Sequence, residues 1–81
     1  IPASVYPNPF SQSARLSIDL ETESTVSVKI YDVTGTLVST LVNEKRRSGN
    51  HEFDVRLPLK GLYIADIMVN DTRQVIKLIA R

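Results

Sequence analysis

The sequence contains no cysteine, a single histidine and no long hydrophobic run. Without cysteine, a disulfide-stapled mini-protein, a thiolate zinc site and a cysteine nucleophile are excluded. No apolar stretch approaches the roughly 20 residues that a helix needs to cross a bilayer. An excess of one charge is also lacking, because 10 Lys+Arg stand against 9 Asp+Glu, for a net charge of +1. This balance argues against a dedicated nucleic-acid binder, which carries a strong basic excess.

What remains is the composition of one small globular domain. The 81 residues are 42% hydrophobic and 23% charged, which is close to the globular average and far from a disordered profile. A chain of this length forms one hydrophobic core at most. Because its first residue is Ile1 rather than Met, we interpret residues 1–81 as a single domain of a longer protein.

Apolar and polar residues alternate along three stretches, which begin at Ala14, Val26 and His51. Successive side chains of a strand point to opposite faces, so this alternation predicts strands with one buried and one solvated face. Less regular apolar runs at 3–6, 36–42, 62–69 and 73–80 predict four more strands. The run 62–69 is apolar on both sides except at Asp66, which predicts a central strand covered on each face.

Turn-forming residues separate these seven stretches. Asp32 and Gly35 suit a type I turn with a left-handed glycine, and Asn70-Asp71 suits a tight hairpin. The polar residues 43–47 predict a flexible hairpin tip. Strands at intervals of very roughly 11 residues predict an all-β sandwich or barrel.

An open sheet of this kind has outer strands that need protection against edge pairing. Charged side chains such as Arg15, Asp19 and Lys77 are expected to provide that protection.

Residues capable of catalysis or metal binding are sparse. His51 is the only candidate base, and at the start of an alternating strand it is best explained as a half-exposed structural residue. The acids fall on outward strand faces or in turns rather than in a common cleft. One histidine without cysteine rules out tetrahedral zinc, and the calcium-loop pattern D-x-[DN]-x-[DN]-G does not occur. The sequence predicts no catalytic residue, no metal site and no cofactor.

Two binding hypotheses receive little support from single residues. Lys45-Arg46-Arg47 is the only basic cluster, and we interpret it as part of a solvated loop. Carbohydrate binding by a β-sandwich requires exposed aromatic platforms, for which Tyr6, Phe10 and Tyr31 are the candidates. Tyr6 and Phe10 flank a proline turn, so we expect them to plug one end of the sandwich instead.

Five short motifs follow one another along the chain. They are Tyr6-Pro7-Asn8-Pro9-Phe10, Ile30-Tyr31-Asp32-Val33-Thr34-Gly35, Gly49-Asn50-His51, Leu59-Lys60-Gly61-Leu62-Tyr63 and Val75-Ile76-Lys77-Leu78-Ile79. In this order they resemble the C-terminal sorting domains (type A) of the type IX secretion system, found in secreted proteins of Bacteroidetes. The resemblance covers essentially the whole chain.

The resemblance implies an immunoglobulin-like sandwich of about seven antiparallel strands at the C-terminus of a secreted cargo protein. Such a domain is recognised by an outer-membrane translocon after the cargo reaches the periplasm. In many cargoes a sortase-like surface protease then removes it and links the cargo to lipopolysaccharide. The implied function is a non-catalytic sorting signal, and the implied location is the cell surface or the medium.

The resemblance also assigns structural and recognition roles by motif position. The residues concerned are Pro7, Asn8, Pro9, Tyr31, Asp32, Gly35, Gly61, Tyr63 and Lys77. The three N-terminal positions would form a turn, the glycines and Tyr63 would hold hairpins, and Lys77 with the final strand would belong to the recognition end. An open final strand could accept a partner by β-augmentation, and open edges could also allow weak self-association.

Two alternative functions remain open on the sequence. The Tyr-Pro-Asn-Pro-Phe opening and the Gly-x-Tyr strand also occur in flagellar hook-capping domains and in accessory modules of extracellular enzymes. The chain could therefore be a structural spacer beside a catalytic domain. A carbohydrate-binding module is the second alternative.

Overall fold

A computed structural model describes residues 2–81 as seven β-strands, and this part of the chain contains no helix. The strands are β1 (Ala3–Tyr6), β2 (Ala14–Leu20), β3 (Ser24–Asp32), β4 (Leu37–Arg46), β5 (Gly49–Val55), β6 (Gly61–Val69) and β7 (Thr72–Ala80). The predicted all-β class and the number of strands are confirmed. Ile1, the first residue of the predicted domain 1–81, lies outside the described residues.

The strands form two antiparallel sheets that pack as a sandwich. The three-stranded sheet has the order β1-β2-β5, and the four-stranded sheet has the order β4-β3-β6-β7. In constant-type immunoglobulin domains the fourth strand joins the fifth, whereas β4 here pairs with β3. The architecture is a seven-stranded sandwich in which β4 belongs to the four-stranded sheet rather than to the sheet that contains β5.

The core consists of the apolar residues that point inward from the alternating strands. Leu16 and Ile18 of β2 face Val28 and Ile30 of β3 and Ile67 of β6, and all five are fully buried. Burial of a Leu, Ile or Val side chain stabilises a fold by about 1.5–3 kcal/mol. The alternation seen in the sequence thus accounts for the two layers.

The polar residues 43–46 do not form a flexible hairpin tip, as predicted, but continue β4. Glu44 pairs with Val26 and Arg46 with Ser24, so the β3–β4 ladder runs to the end of the strand. The Arg46 guanidinium lies 5.2 Å from the centroid of the Phe53 ring, a cation–π contact between the layers. Since β4 and β5 belong to different sheets, residues 47–48 form a crossing between layers.

β6 is central within its sheet, but it is covered on only one face. Tyr63, Ala65 and Ile67 point into the core, whereas Leu62 is 39% exposed and Ile64 is half-buried on the opposite face. The prediction of coverage on both faces is wrong, because β3 and β7 flank β6 laterally and residues 2–81 supply no third layer.

Arg15 and Asp19 do not protect an edge, because β2 lies between β1 and β5. Both project from the outer face of that sheet, where the Arg15 guanidinium lies 3.4 Å from Glu52 and 3.6 Å from Asp54. Only Lys77, in the edge strand β7, is placed as predicted.

The tight hairpin between β6 and β7 is confirmed, with one difference in its backbone. Only Asn70 of the two loop residues has a positive φ, 53°. The Asn70 N–H donates to the Thr25 carbonyl (2.8 Å), and the Thr25 N–H donates to Asn70 Oδ1 (3.0 Å). These reciprocal bonds join the hairpin to the start of β3.

The molecule measures 35 × 23 × 15 Å, and its strands run along the longest dimension. Pro2 lies at one end, which we call the N-terminal pole, with the turns 21–23, 47–48 and 70–71. The segments 7–13, 33–36 and 56–60 lie at the other end together with Arg81. We call this end the motif pole.

Candidate functional site

The Asn8 side chain occupies the edge of β7. Its Nδ2 donates to the Lys77 carbonyl at 2.7 Å, and the Ile79 N–H donates to its Oδ1 at 3.1 Å. Pro7 and Pro9 have no N–H with which to extend a ladder, and the peptide bonds that precede them are both cis. The Asn8 side-chain amide supplies both the donor and the acceptor for these two bonds, whereas the backbone of each flanking proline offers an acceptor only.

Phe10 continues this contact along the same edge. Its N–H donates to the Ile79 carbonyl and its carbonyl accepts from the Arg81 N–H, both at 2.9 Å, so that Phe10 and Ala80 form a parallel bridge. The ring is only 2% exposed. We call Asn8 and Phe10 together the edge clasp. The expectation that Phe10 plugs one end of the sandwich is confirmed, whereas Tyr6 points outward and is 81% exposed.

The edge clasp changes what the final strand can offer a partner. In an antiparallel strand the N–H and C=O of one residue point the same way, and Lys77, Ile79 and Arg81 direct theirs at the clasp. Arg73 and Val75, which share this parity, have no backbone partner on that side within the described part of the chain. The final strand is thus an open edge only in its first half.

Asp32 organises the turn between β3 and β4. Its Oδ1 accepts from the Thr34 hydroxyl (2.6 Å), the Thr34 N–H (2.9 Å) and the Thr36 N–H (3.0 Å). The Thr34 hydroxyl bond, followed by the Thr36 N–H bond, holds the pKa of the Asp32 carboxyl below its ordinary value. Gly35 has φ of 87°, a conformation that side-chain-bearing residues rarely adopt. The predicted turn with a left-handed glycine is confirmed.

Tyr63 ties the start of β6 to the turn before it. Its hydroxyl donates to the Leu59 carbonyl four residues upstream at 2.8 Å, while the ring is buried. This geometry is the tyrosine corner of immunoglobulin-like sandwiches. Gly61, with φ of 150°, makes the bend between the turn and the strand.

Tyr31 and Lys77 share one transverse row on the outer face of the four-stranded sheet. Tyr31 pairs with Ile64, and Ile64 pairs with Lys77 on its other side. Residues opposite each other in neighbouring strands have Cβ atoms about 4.5–5.5 Å apart. The two residues therefore belong to one surface although they are 46 positions apart in the sequence.

The structure brings four of the five sequence motifs together at the motif pole. Register places Asp32 beside Tyr63, Tyr63 beside Leu78 and Gly61 beside Ala80, and the edge clasp adds the first motif. The exception is Gly49-Asn50-His51, whose residues pair with 18–20 at the N-terminal pole. Pro7, Asn8, Pro9, Asp32, Gly35, Gly61 and Tyr63 surround one end of the molecule.

The edge clasp is the feature that residue-by-residue reasoning missed. The motif suggested a turn, and nothing in its spacing placed it against a strand about 70 positions later. A signal was nevertheless present, because an amide flanked by two residues without N–H groups is suited to bond a neighbouring backbone.

The arrangement of polar groups does not suggest a reaction centre. His51 lies at the N-terminal pole, where its Nε2 is 2.7 Å from the Arg47 carbonyl oxygen. Across residues 2–81, no group of three or more His, Cys, Asp or Glu side chains could hold a metal ion. Grooves of about 150 Å³ at the motif pole and 260 Å³ at the opposite pole are smaller than the roughly 300–1,000 Å³ pockets that enclose small-molecule ligands.

The five aromatic side chains do not form a common platform. Phe10 and Tyr63 are buried, and Phe53 is partly buried beneath Arg46. Tyr6 and Tyr31 project from the outer faces of opposite sheets. From Pro2 onward, moreover, no helix has the length and hydrophobicity needed to span a membrane.

Comparison with known proteins identifies one family. The family model described as secretion system C-terminal sorting domain matches residues 4–81, a range that reaches all seven strands. A search of curated proteins gave no match.

Proposed function

The chain belongs to the family of type IX secretion C-terminal sorting domains, and we propose that it is a non-catalytic address label read by the outer-membrane export machinery. Membership itself identifies a sorting signal and export across the outer membrane to the cell surface or the medium. The observation that carries the proposal is the family match over residues 4–81.

The proposed partners are an outer-membrane translocon, a sortase-like surface protease and a cargo domain upstream. The family implies contact with the type IX machinery. We propose that the translocon and the protease are the components that make this contact. Pro2 lies at the N-terminal pole, and we propose that the cargo is attached on that side. The motif pole, at the other end of a 35 Å axis, would then remain accessible with cargo attached.

We propose a binding role rather than catalysis because the acidic side chains and the histidine do not converge on one site. Sorting domains of this family are in general non-catalytic. Asp19, Glu52 and Asp54 lie exposed on the outer face of the three-stranded sheet, and His51 bonds a backbone carbonyl.

We propose two roles for the residues of the sequence motifs. Asn8, Asp32 and Tyr63, with Pro7, Pro9, Gly35 and Gly61, hold the motif pole in shape through the bonds and backbone conformations described above. Tyr31 and Lys77 face solvent on the four-stranded sheet and are proposed to contact the machinery.

The test is a fusion of residues 1–81 behind a reporter that carries an ordinary signal peptide, expressed in a host with type IX export. We expect the reporter at the cell surface or in the medium, and the same reporter without the domain in the periplasm. Loss of the 9.1 kDa domain from exported reporter would reveal proteolytic removal. Folded fusion retained in the periplasm would contradict the proposal.

A structural spacer is the second candidate, favoured by the positions of Pro2 and Arg81 at opposite poles. The same fusion separates the two functions, because a spacer carries no export signal. Carbohydrate binding has weaker support, since Tyr6 and Tyr31 lie on opposite faces. Glycan-array binding abolished by Tyr6→Ala or Tyr31→Ala would favour it.

A further inference from the structure

The outer face of the four-stranded sheet combines exposed apolar side chains with three lysines that make no salt bridge within residues 2–81. We call this surface the apolar–basic face. Its apolar members are Tyr31, Leu37, Leu62, Ile64, Met68, Val75 and Ile79, and its charged members are Lys29, Lys45, Arg73, Lys77 and Asp66. Leu37 and Val75 are each 50% exposed, Ile79 is 41% exposed and Leu62 is 39% exposed.

Five of the apolar members are contiguous, whereas Val75 and Met68 lie opposite charged residues. Leu37 pairs with Tyr31 and Tyr31 with Ile64 in one transverse row, and Leu62 pairs with Ile79 beside it. Lys77 occupies the fourth position of that row, so its apolar part covers three strands spaced about 4.8 Å apart and is about 10 Å wide. Single exposed hydrophobic residues are ordinary, but a continuous apolar patch rimmed by polar residues is typical of an interaction site.

The outer face of the three-stranded sheet is polar instead of apolar and basic. This face carries Arg15, Asp19, Asn50, Glu52 and Asp54, and Tyr6 is the one large apolar residue that the described part of the chain places there. Arg15 lies within salt-bridge distance of two acids there, and Asn50 donates to Asp19. That face pairs its one cation and holds three acids, so its charge excess is acidic rather than basic.

The charges of the apolar–basic face are not balanced internally. Its only acid is Asp66, which lies 2.8 Å from the Arg73 Nε. Between Pro2 and Arg81, no salt bridge involves Lys29, Lys45 or Lys77. A partner that brings carboxylates to this rim would gain both charge pairing and steering.

We propose that the apolar–basic face docks a protein of the export machinery whose surface has an apolar centre and a rim of carboxylates. This inference rests on the proposed function and specifies the surface that is read. If two copies of the chain packed together through this face, the lysines of one copy would lie close to those of the other and repel them. Several of these side chains are half-buried, which suits contact with a protein surface better than insertion among lipid chains.

The experiment varies the face in the reporter fusion and measures the exported fraction. At Lys77 we expect Arg to preserve export, Gln to reduce it about threefold and Glu to reduce it about tenfold, because a like charge replaces the attracting one. The double change Val75→Thr, which is isosteric, and Ile79→Thr, which also shortens the side chain, should reduce export about tenfold by removing apolar contact.

Matched controls lie elsewhere on the surface. Asp54→Lys makes a charge change of equal size on the other sheet, and Val33→Thr changes an exposed valine in a turn. Both should export normally. Equal thermal midpoints for the purified variants would exclude misfolding as the cause of lost export.

Several results would overturn the inference. If the unaltered fusion is exported and the Lys77 and Thr variants are exported equally well, the face is not read, although the sorting function stands. If the unaltered fusion is not exported, the proposed function itself fails. Lys77-dependent binding to vesicles of phosphatidylglycerol and phosphatidylcholine would assign the face to membranes. Lys77-dependent dimerisation in sedimentation velocity would assign it to a second copy.

Discussion

The two poles of the sandwich are held together in different ways. At the N-terminal pole, two short turns cross between the sheets and a third closes the β6–β7 hairpin, where Asn70 makes a reciprocal pair of bonds with β3. At the motif pole, the edge clasp, the Tyr63 corner and the Asp32 turn fix side chains against specific backbone groups. The clasp spans 69 to 71 positions of the chain.

This difference explains why the recognisable motifs gather at one end. Short polar turns accept many sequences, whereas an amide that must bond two backbone groups, or a phenol that must reach one carbonyl, accepts few. We propose that the motif residues at this pole mainly specify its shape. The residues available to a partner are then those that the fold leaves exposed.

The largest difference is expected between the two aromatic residues of the first motif. Phe10→Ala removes a ring that is 2% exposed and should lower the free energy of unfolding by about 3–5 kcal/mol. Tyr6→Ala, four positions earlier and 81% exposed, should change it by less than about 0.5 kcal/mol. Urea denaturation of both variants measures the contrast, and similar losses would contradict the assignment of Phe10 to the core.

The Asn8 amide should matter more than an exposed amide at the other pole. Asn8→Ala leaves two edge groups of β7 without partners and should cost about 1–2 kcal/mol. Asn50→Ala, which removes bonds to the exposed Ser17 and Asp19 side chains, should cost less than about 0.5 kcal/mol. Amide exchange adds a local measurement, since the Ile79 N–H should lose protection in the Asn8 variant alone. Unchanged protection at Ile79 would show that the clasp is dispensable.

The Tyr63 hydroxyl provides a smaller test of the motif pole. Tyr63→Phe keeps the buried ring but removes the bond to the Leu59 carbonyl, so we expect a loss of about 1 kcal/mol. Tyr31→Phe is the control, because no hydrogen bond to the Tyr31 hydroxyl occurs in the described chain. Thermal denaturation compares the two, and equal midpoints would remove the tyrosine corner as a source of stability.

The smallest effect is expected from the Asp32 turn in acid. The pKa of Asp32 is lowered in the folded state, so its contribution is present above the ordinary value of 3.8 and is lost as the pH falls through the lowered pKa. Thermal midpoints measured between neutral pH and pH 2 should fall less steeply for Asp32→Asn. Thr34→Val should act in the same direction, because it removes the strongest cause of the shift. Parallel curves for all three proteins would contradict this account.

The layers were predictable because one physical rule governs them. Alternation along β2, β3 and β5 separates core from solvent, and period two has no other common interpretation. The turn at Asp32 was predictable for a similar reason, since Asp and Gly have specific roles at those positions.

Alternation and turn chemistry could not predict which residues meet in the tertiary structure. Residues 43–46 are polar enough for a loop, but they pair with β3 as an edge strand and need no buried face. The apolar outer residues of β6 suggested a covering layer, yet they belong to an exposed surface. Tyr6 and Phe10 are both aromatic and close in sequence, and only the position of β7 decides which one is buried.

The edge clasp also determines when the domain can finish folding. Synthesis and translocation deliver residues in order, so Asn8 and Phe10 must wait for Lys77 to Arg81 before they find their partners. Contacts of such long sequence separation form late in folding. The domain therefore completes its final shape only after residues 77–81 are available, and a copy terminated before them would expose Phe10 to solvent.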